Sequence, residues 1–229
     1  MSLIKSFFKV LAQILAQTLL TIMGWHLPNE HEVHRITKYD RIVLVFSHSS
    51  YWDFFIMALY VLAYPNDLHR LRTLISPGPF KYANFLMRYI GGIPATSVHD
   101  REQGSVTRIV GELQKCEKPI FLISPKGTLT KHEWRSGYYH IAQQLNCSIR
   151  VVGVDYDKKD IVLGRPYSPI NISEDNMREH LYHDLGHVVP LHPKNEMMFI
   201  RKHNERLRSV VNWRRLLGIM IFLWLWRVL

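Results

Sequence analysis

Short apolar runs separated by stretches of helical spacing set the tightest limit on how this chain can fold. Residues 41–47 (RIVLVFS), 119–124 (PIFLIS) and 150–156 (RVVGVDY) read as buried strands. Residues 72–76 read as another strand, ended by the breaker Pro77-Gly78-Pro79, and Gly91-Gly92-Ile93-Pro94 reads as a turn or short strand. Between these lie an apolar helix over residues 51–64, a short helix over 80–89 and a helix over 137–146. Residues 101–116 place Val106, Ile109, Val110 and Leu113 at helical spacing. Residues 150–156 and 160–164 flank Lys158-Lys159, which predicts a hairpin. Ser173 is a predicted cap for a helix that carries Glu174 and Asp175 in its first turn. Strands alternating with helices predict an α/β domain with a mostly parallel or mixed sheet flanked by helices. There is no internal repeat, low-complexity tract or linker.

At 229 residues the chain is long enough for one domain with a real core and too short for two comfortable ones. Its formal net charge of +10 asks for an anionic partner, and nucleic acid, an acidic membrane face and a phosphorylated substrate all qualify. The two cysteines, Cys116 and Cys147, have no metal-type spacing, which argues against a disulfide framework or a zinc site and for a reducing compartment.

Both ends are apolar. Near the N-terminus Lys5, Lys9, Gln13 and Gln17 fall four apart, on one face of a helix over residues 3–25. Such a helix suits a membrane interface; a buried core helix is the plainer alternative. A signal peptide fits less well, because glutamines interrupt the apolar run and no small-residue cleavage site follows. Near the C-terminus, residues 216–229 (LLGIMIFLWLWRVL) follow Trp213-Arg214-Arg215. The run is shorter than the roughly 20 residues that span a bilayer, so a shallow or re-entrant anchor is expected. The cations between Lys194 and Arg215 adjoin this greasy tail, which favours an anionic membrane over nucleic acid. The expected layout is a membrane-associating helix over 1–25, a catalytic domain over 26–200, and a basic helix with an apolar anchor over 201–229.

One constellation carries chemistry. His48-Ser49-Ser50-Tyr51-Trp52-Asp53 sits after a predicted strand and at the start of a helix, where ligands bind in α/β sheets. An Asp that meets one imidazole nitrogen fixes the tautomer and stabilises the imidazolium, while the other nitrogen takes a proton. Without a nucleophilic serine, the natural proton donor is a substrate hydroxyl. The spacing alone is weak, because a strand-end His that merely caps a helix gives the same pattern.

Three further blocks follow in order: Gly91-Gly92-Ile93-Pro94 through Asp100-Arg101; Ser124-Pro125-Lys126-Gly127-Thr128; and Trp134 to Ala142 followed by residues 151–156. With His48-x4-Asp53 they resemble the glycerolipid acyltransferase family of lysophosphatidic acid and glycerol-3-phosphate acyltransferases, and a bacterial-type subgroup in particular. The resemblance covers residues 24–166. It implies an O-acyltransferase that moves a fatty acyl group from an acyl thioester to the hydroxyl of a lysophospholipid or glycerol phosphate. It implies His48 and Asp53 as the catalytic pair, and Arg101, Lys126, Gly127 and Thr128 as substrate-binding residues, with the backbone near Gly127-Thr128 as a source of oxyanion donors. It implies acyl-coenzyme A or an acyl carrier protein as the donor, acting as substrate, with no cofactor or metal required. Membrane lipids are expected partners, a membrane location with the site facing the cytosol is expected, and the oligomeric state stays open.

The third block departs from the family pattern. Lys126 stands where glutamate is usual and Leu129 where arginine is usual, so the headgroup clamp changes more than the acyl chemistry. Transacylation or thioester hydrolysis on the same fold therefore remains open, as does a catalytically weak membrane-binding homologue. Elsewhere, His180, His183 and His187 share a helical face beside Asp184, which reads as a solvated polar face before a metal site. His26, His31 and His34 read as surface. A serine hydrolase is discounted because no G-x-S-x-G elbow occurs.

Overall fold

The computed structural model describes residues 2–28, 41–65, 69–95, 105–127 and 133–192. Its centre is a six-stranded mixed sheet in the order β3-β2-β4-β1-β5-β6. The strands are β1 (Ile42–Phe46), β2 (Leu71–Ile75), β3 (Gly92–Pro94), β4 (Ile120–Ile123), β5 (Ser148–Asp155) and β6 (Asp160–Leu163). All pairs are parallel except β5 with β6, which forms the predicted hairpin. The helices are α1 (Ser2–Ile22), α2 (Tyr51–Ala63), α3 (Pro77–Tyr89), α4 (Ser105–Gln114), α5 (Gly137–Leu145) and α6 (Glu174–Leu185).

The unbroken apolar runs are explained by burial on both faces. Along β1, Val43 and Val45 join Phe121, Ile123, Ile149 and Val151 in a core closed by α4, α5 and α6. The alternate residues Ile42, Leu44 and Phe46 join Leu122, Val152 and Val154 in a second core, closed by α1 and α2. β1 lies between β4 and β5, in register Val45 to Ile123 and Phe46 to Val152. The C-terminal ends of these three strands therefore open on one edge of the sheet, and their loops meet there.

One local expectation changes. Pro77-Gly78-Pro79 does not separate β2 from the next helix; it forms the first turn of α3. Proline fits there because the first helical N–H groups have no intrahelical partner in any case. The tight return from α3 to β3 needs Gly91 and Gly92: a Cβ on Gly91 would lie 2.0 Å from Leu71 O, and one on Gly92 2.6 Å from Met87 O. The second block's glycines are thus explained by chain passage.

α1 is arranged inside out. Gln17 Nε2 donates to Ala63 O at 3.2 Å, and Ala16 and Leu20 are buried against the second core. The opposite face exposes Phe7 (64%), Ile14 (54%), Leu15 (55%) and Ile22 (76%). The glutamine stripe thus turns toward the protein and the apolar stripe away from it. Met23 and Trp25 continue into the second core, so the segment at the expected boundary near residue 25 is packed against the sheet domain. No helix among the described residues is long and apolar enough to cross a membrane. The expected basic helix and C-terminal anchor over 201–229 lie outside the described residues.

Candidate active site

The chain leaves β1 at Phe46 and enters α2 at Tyr51, so residues 47–50 make the turn. Ser50 is the N-cap, and its Oγ accepts from Trp52 N at 3.1 Å. Asp53 occupies the third helical position and reaches back to accept from Ser50 N at 2.7 Å, which completes a capping box. The same oxygen, Oδ2, accepts from Ser49 N at 2.6 Å and from Ser49 Oγ at 3.1 Å. The spacing of His48 and Asp53 follows from this helix start. A carboxylate at that position folds over the amides of the cap and of the residue before it, and arrives beside the residue that precedes both. Asp53 is only 1% exposed, and these donors together with the helix N-terminus supply the positive field that a buried carboxylate requires.

His48 Nδ1 lies 3.5 Å from Asp53 Oδ2 and makes no hydrogen bond among the described residues. Such pairs are often long without substrate and tighten in the reacting complex. The imidazole sits between the rings of Phe46 and Tyr51, at 5.6 and 6.3 Å. Its side chain is 20% exposed against 1% for Asp53, so the imidazole is the member of the pair that a substrate can reach. The two adjacent hydroxyls are engaged locally: Ser49 donates to Asp53 and Ser50 caps α2.

The other carboxylate oxygen, Asp53 Oδ1, accepts from Tyr156 Oη at 2.7 Å. Burial, then the Asp53 charge and hydrogen bond, push this phenol far above its usual range, so it remains a donor. The sequence reading missed Tyr156. Its signal was topological: it follows the last residue of β5, the parallel neighbour of β1, and so reaches the same sheet edge.

The exit of β4 comes to the same place. Gly127 has φ 68°, a left-handed conformation that favours glycine, and its N–H donates to Ser124 O at 3.1 Å. That amide therefore closes a turn. Lys126 is 0% exposed, and its Nζ donates to His48 O at 3.4 Å. The ammonium is packed against the His48 backbone carbonyl. Arg101, Thr128 and Leu129 lie outside the described residues.

His180 stacks on Tyr167 at 5.1 Å, and His183 and His187 are exposed, as a solvated face predicts. No group of three or more metal-capable side chains occurs among the described residues. His26 is exposed and pairs with Asp160 at 3.3 Å; His31 and His34 lie outside the described residues.

A protein-family model described as Acyltransferase matches residues 28–155, more than half of the chain, and spans β1 through β5. No curated protein matches the chain.

Proposed function

Because the chain belongs to the Acyltransferase family, we propose that it transfers a fatty acyl group from an acyl thioester to the hydroxyl of a lysophospholipid or glycerol phosphate at a membrane surface. The observation that carries this reading is the accessible imidazole backed by a buried, multiply bonded carboxylate, with both neighbouring serine hydroxyls engaged locally. In that arrangement the hydroxyl to be activated is the acceptor's own.

The proposed steps are these. His48 Nε2 takes the acceptor's proton as its oxygen attacks the thioester carbonyl. Asp53 stabilises the imidazolium that forms. The tetrahedral intermediate collapses, the C–S bond breaks, and the proton passes to the departing thiolate. Coenzyme A or an acyl carrier protein supplies that thiol as part of the substrate, and no cofactor takes part. For the headgroup we propose Arg101 as the guanidinium fork and Thr128 as a hydroxyl donor. Lys126 contributes its charge from beneath the site.

The membrane part of the reading is supported by the outward apolar face of α1. It is supported also by α3, which exposes Tyr82, Phe85, Leu86 and Tyr89. A cytosolic orientation agrees with the free thiols Cys116 and Cys147.

The test is an assay of the full-length chain in detergent micelles or vesicles. Acyl-coenzyme A or acyl carrier protein is offered with a panel of lysolipids and glycerol phosphate, and thiol release and lipid product are both followed. Equal thiol and acylated product is the expected result. Thiol release without acceptor would make the protein a hydrolase, and acylation from a phospholipid donor alone a transacylase. Binding without turnover of any donor would make it a lipid-binding homologue.

A further inference from the structure

We infer that Tyr156 is a positioning residue for the His48–Asp53 pair, fixing the plane of the carboxylate that supports the imidazole. The inference rests on the acyl-transfer reading above and adds a residue to it. Three local donors, Ser49 N, Ser49 Oγ and Ser50 N, all converge on Asp53 Oδ2. The His48 ring faces the same oxygen. The terminal torsion of an aspartate is broad, so bonds to a single oxygen hold that atom and leave the plane free to tilt. Tyr156 Oη, at 2.7 Å from Oδ1, holds the opposite end. With both oxygens fixed, the Oδ2 lone pair stays aimed at His48 Nδ1. A phenylalanine would fill the same space without that donor.

Tyr156 is itself held. Trp25 packs edge-on against its ring, with centroids 5.4 Å apart at 82°. Trp25 is buried; its backbone N–H donates to Leu20 O at 2.9 Å at the end of α1, and its ring also meets Tyr60 at 6.4 Å. Lys159 Nζ lies 5.8 Å from the Trp25 ring centroid and donates to Met23 O at 3.2 Å. The segment that follows α1 thus backs the phenol, and the phenol backs the carboxylate.

The experiment is a double-mutant cycle of Tyr156→Phe and Asp53→Asn in the full-length protein, read by kinetics and by urea unfolding. In the wild-type background Tyr156→Phe is expected to lower kcat about tenfold or more, with both KM values held within about twofold. In the Asp53→Asn background the same change is expected to alter kcat by less than about twofold, because the group through which Tyr156 acts is gone. The urea midpoints are expected to be non-additive for the same reason. Full kcat in Tyr156→Phe, or an equal loss in both backgrounds, would overturn the inference. Additive midpoints would overturn it too, whatever the chemistry turns out to be. A wild-type protein that turns over no thioester would break the proposed function instead, and the unfolding cycle would still judge Tyr156.

Discussion

The exits of β1 and β4 lie side by side on one sheet edge, yet they hold their charged residues in opposite ways. At the β1 exit the carboxylate is bound by its own neighbourhood: Ser49 and Ser50 supply three of its donors within a few residues of Asp53. At the β4 exit the backbone closes on itself through Gly127 and Ser124, and Lys126 reaches across to the His48 carbonyl. One loop makes a charge site from sequence neighbours, and the other sends a charge into a neighbouring loop. A local arrangement fixes geometry at little entropic expense. The cross-loop contact ties the position of His48 to the integrity of the second loop.

The sharpest break of this comparison is Asp53→Asn. It keeps the shape of the β1 exit and removes its charge, so kcat is expected to fall on the order of 10³-fold while donor and acceptor KM change little. Steady-state kinetics checks it. Lys126→Met comes next. Because the ammonium is buried against His48 O, kcat is expected to fall about tenfold with the acceptor KM unchanged. A rise in KM confined to phosphorylated acceptors would reassign Lys126 to the headgroup. Ser50→Ala removes the cap of α2, and chemical denaturation should show a loss of about 1 kcal/mol.

The smallest effect concerns the β5 exit. Asp155 is 0% exposed, with Oδ1 accepting from Asp157 N and Lys158 N, both at 3.0 Å. Burial raises its pKa above the ordinary 3.8. The folded state therefore holds this proton more tightly than the unfolded chain does. Its contribution to stability is fully present at low pH and is lost as pH rises through the elevated folded value. Asp155→Asn lacks that slope, so the variant should gain on the wild type in denaturation midpoints as pH rises across that window.

The same contrast explains what the sequence made legible. The buried runs gave the strands, because a strand covered on both faces has no polar alternation to confuse the reading. His48 and Asp53 were legible because their geometry is that of a helix start, set by adjacent residues. Tyr156 was not, because its bond to Asp53 spans 103 residues and depends on β5 lying beside β1. The burial of Lys126 was equally hidden: only the packing of two loops reveals the carbonyl that it meets. The stripe of lysines and glutamines on α1 was visible, but the direction it faces depends on the contact of Gln17 with α2.

The central claim is that His48 performs the proton transfer, and His48→Ala tests it most directly. Thiol release and acylated product are measured together, with vesicle binding and denaturation midpoint as controls for folding and membrane attachment. The prediction is a loss of at least about 10³-fold in kcat, with binding and midpoint close to wild type. Acyl transfer at the wild-type rate in His48→Ala would contradict it.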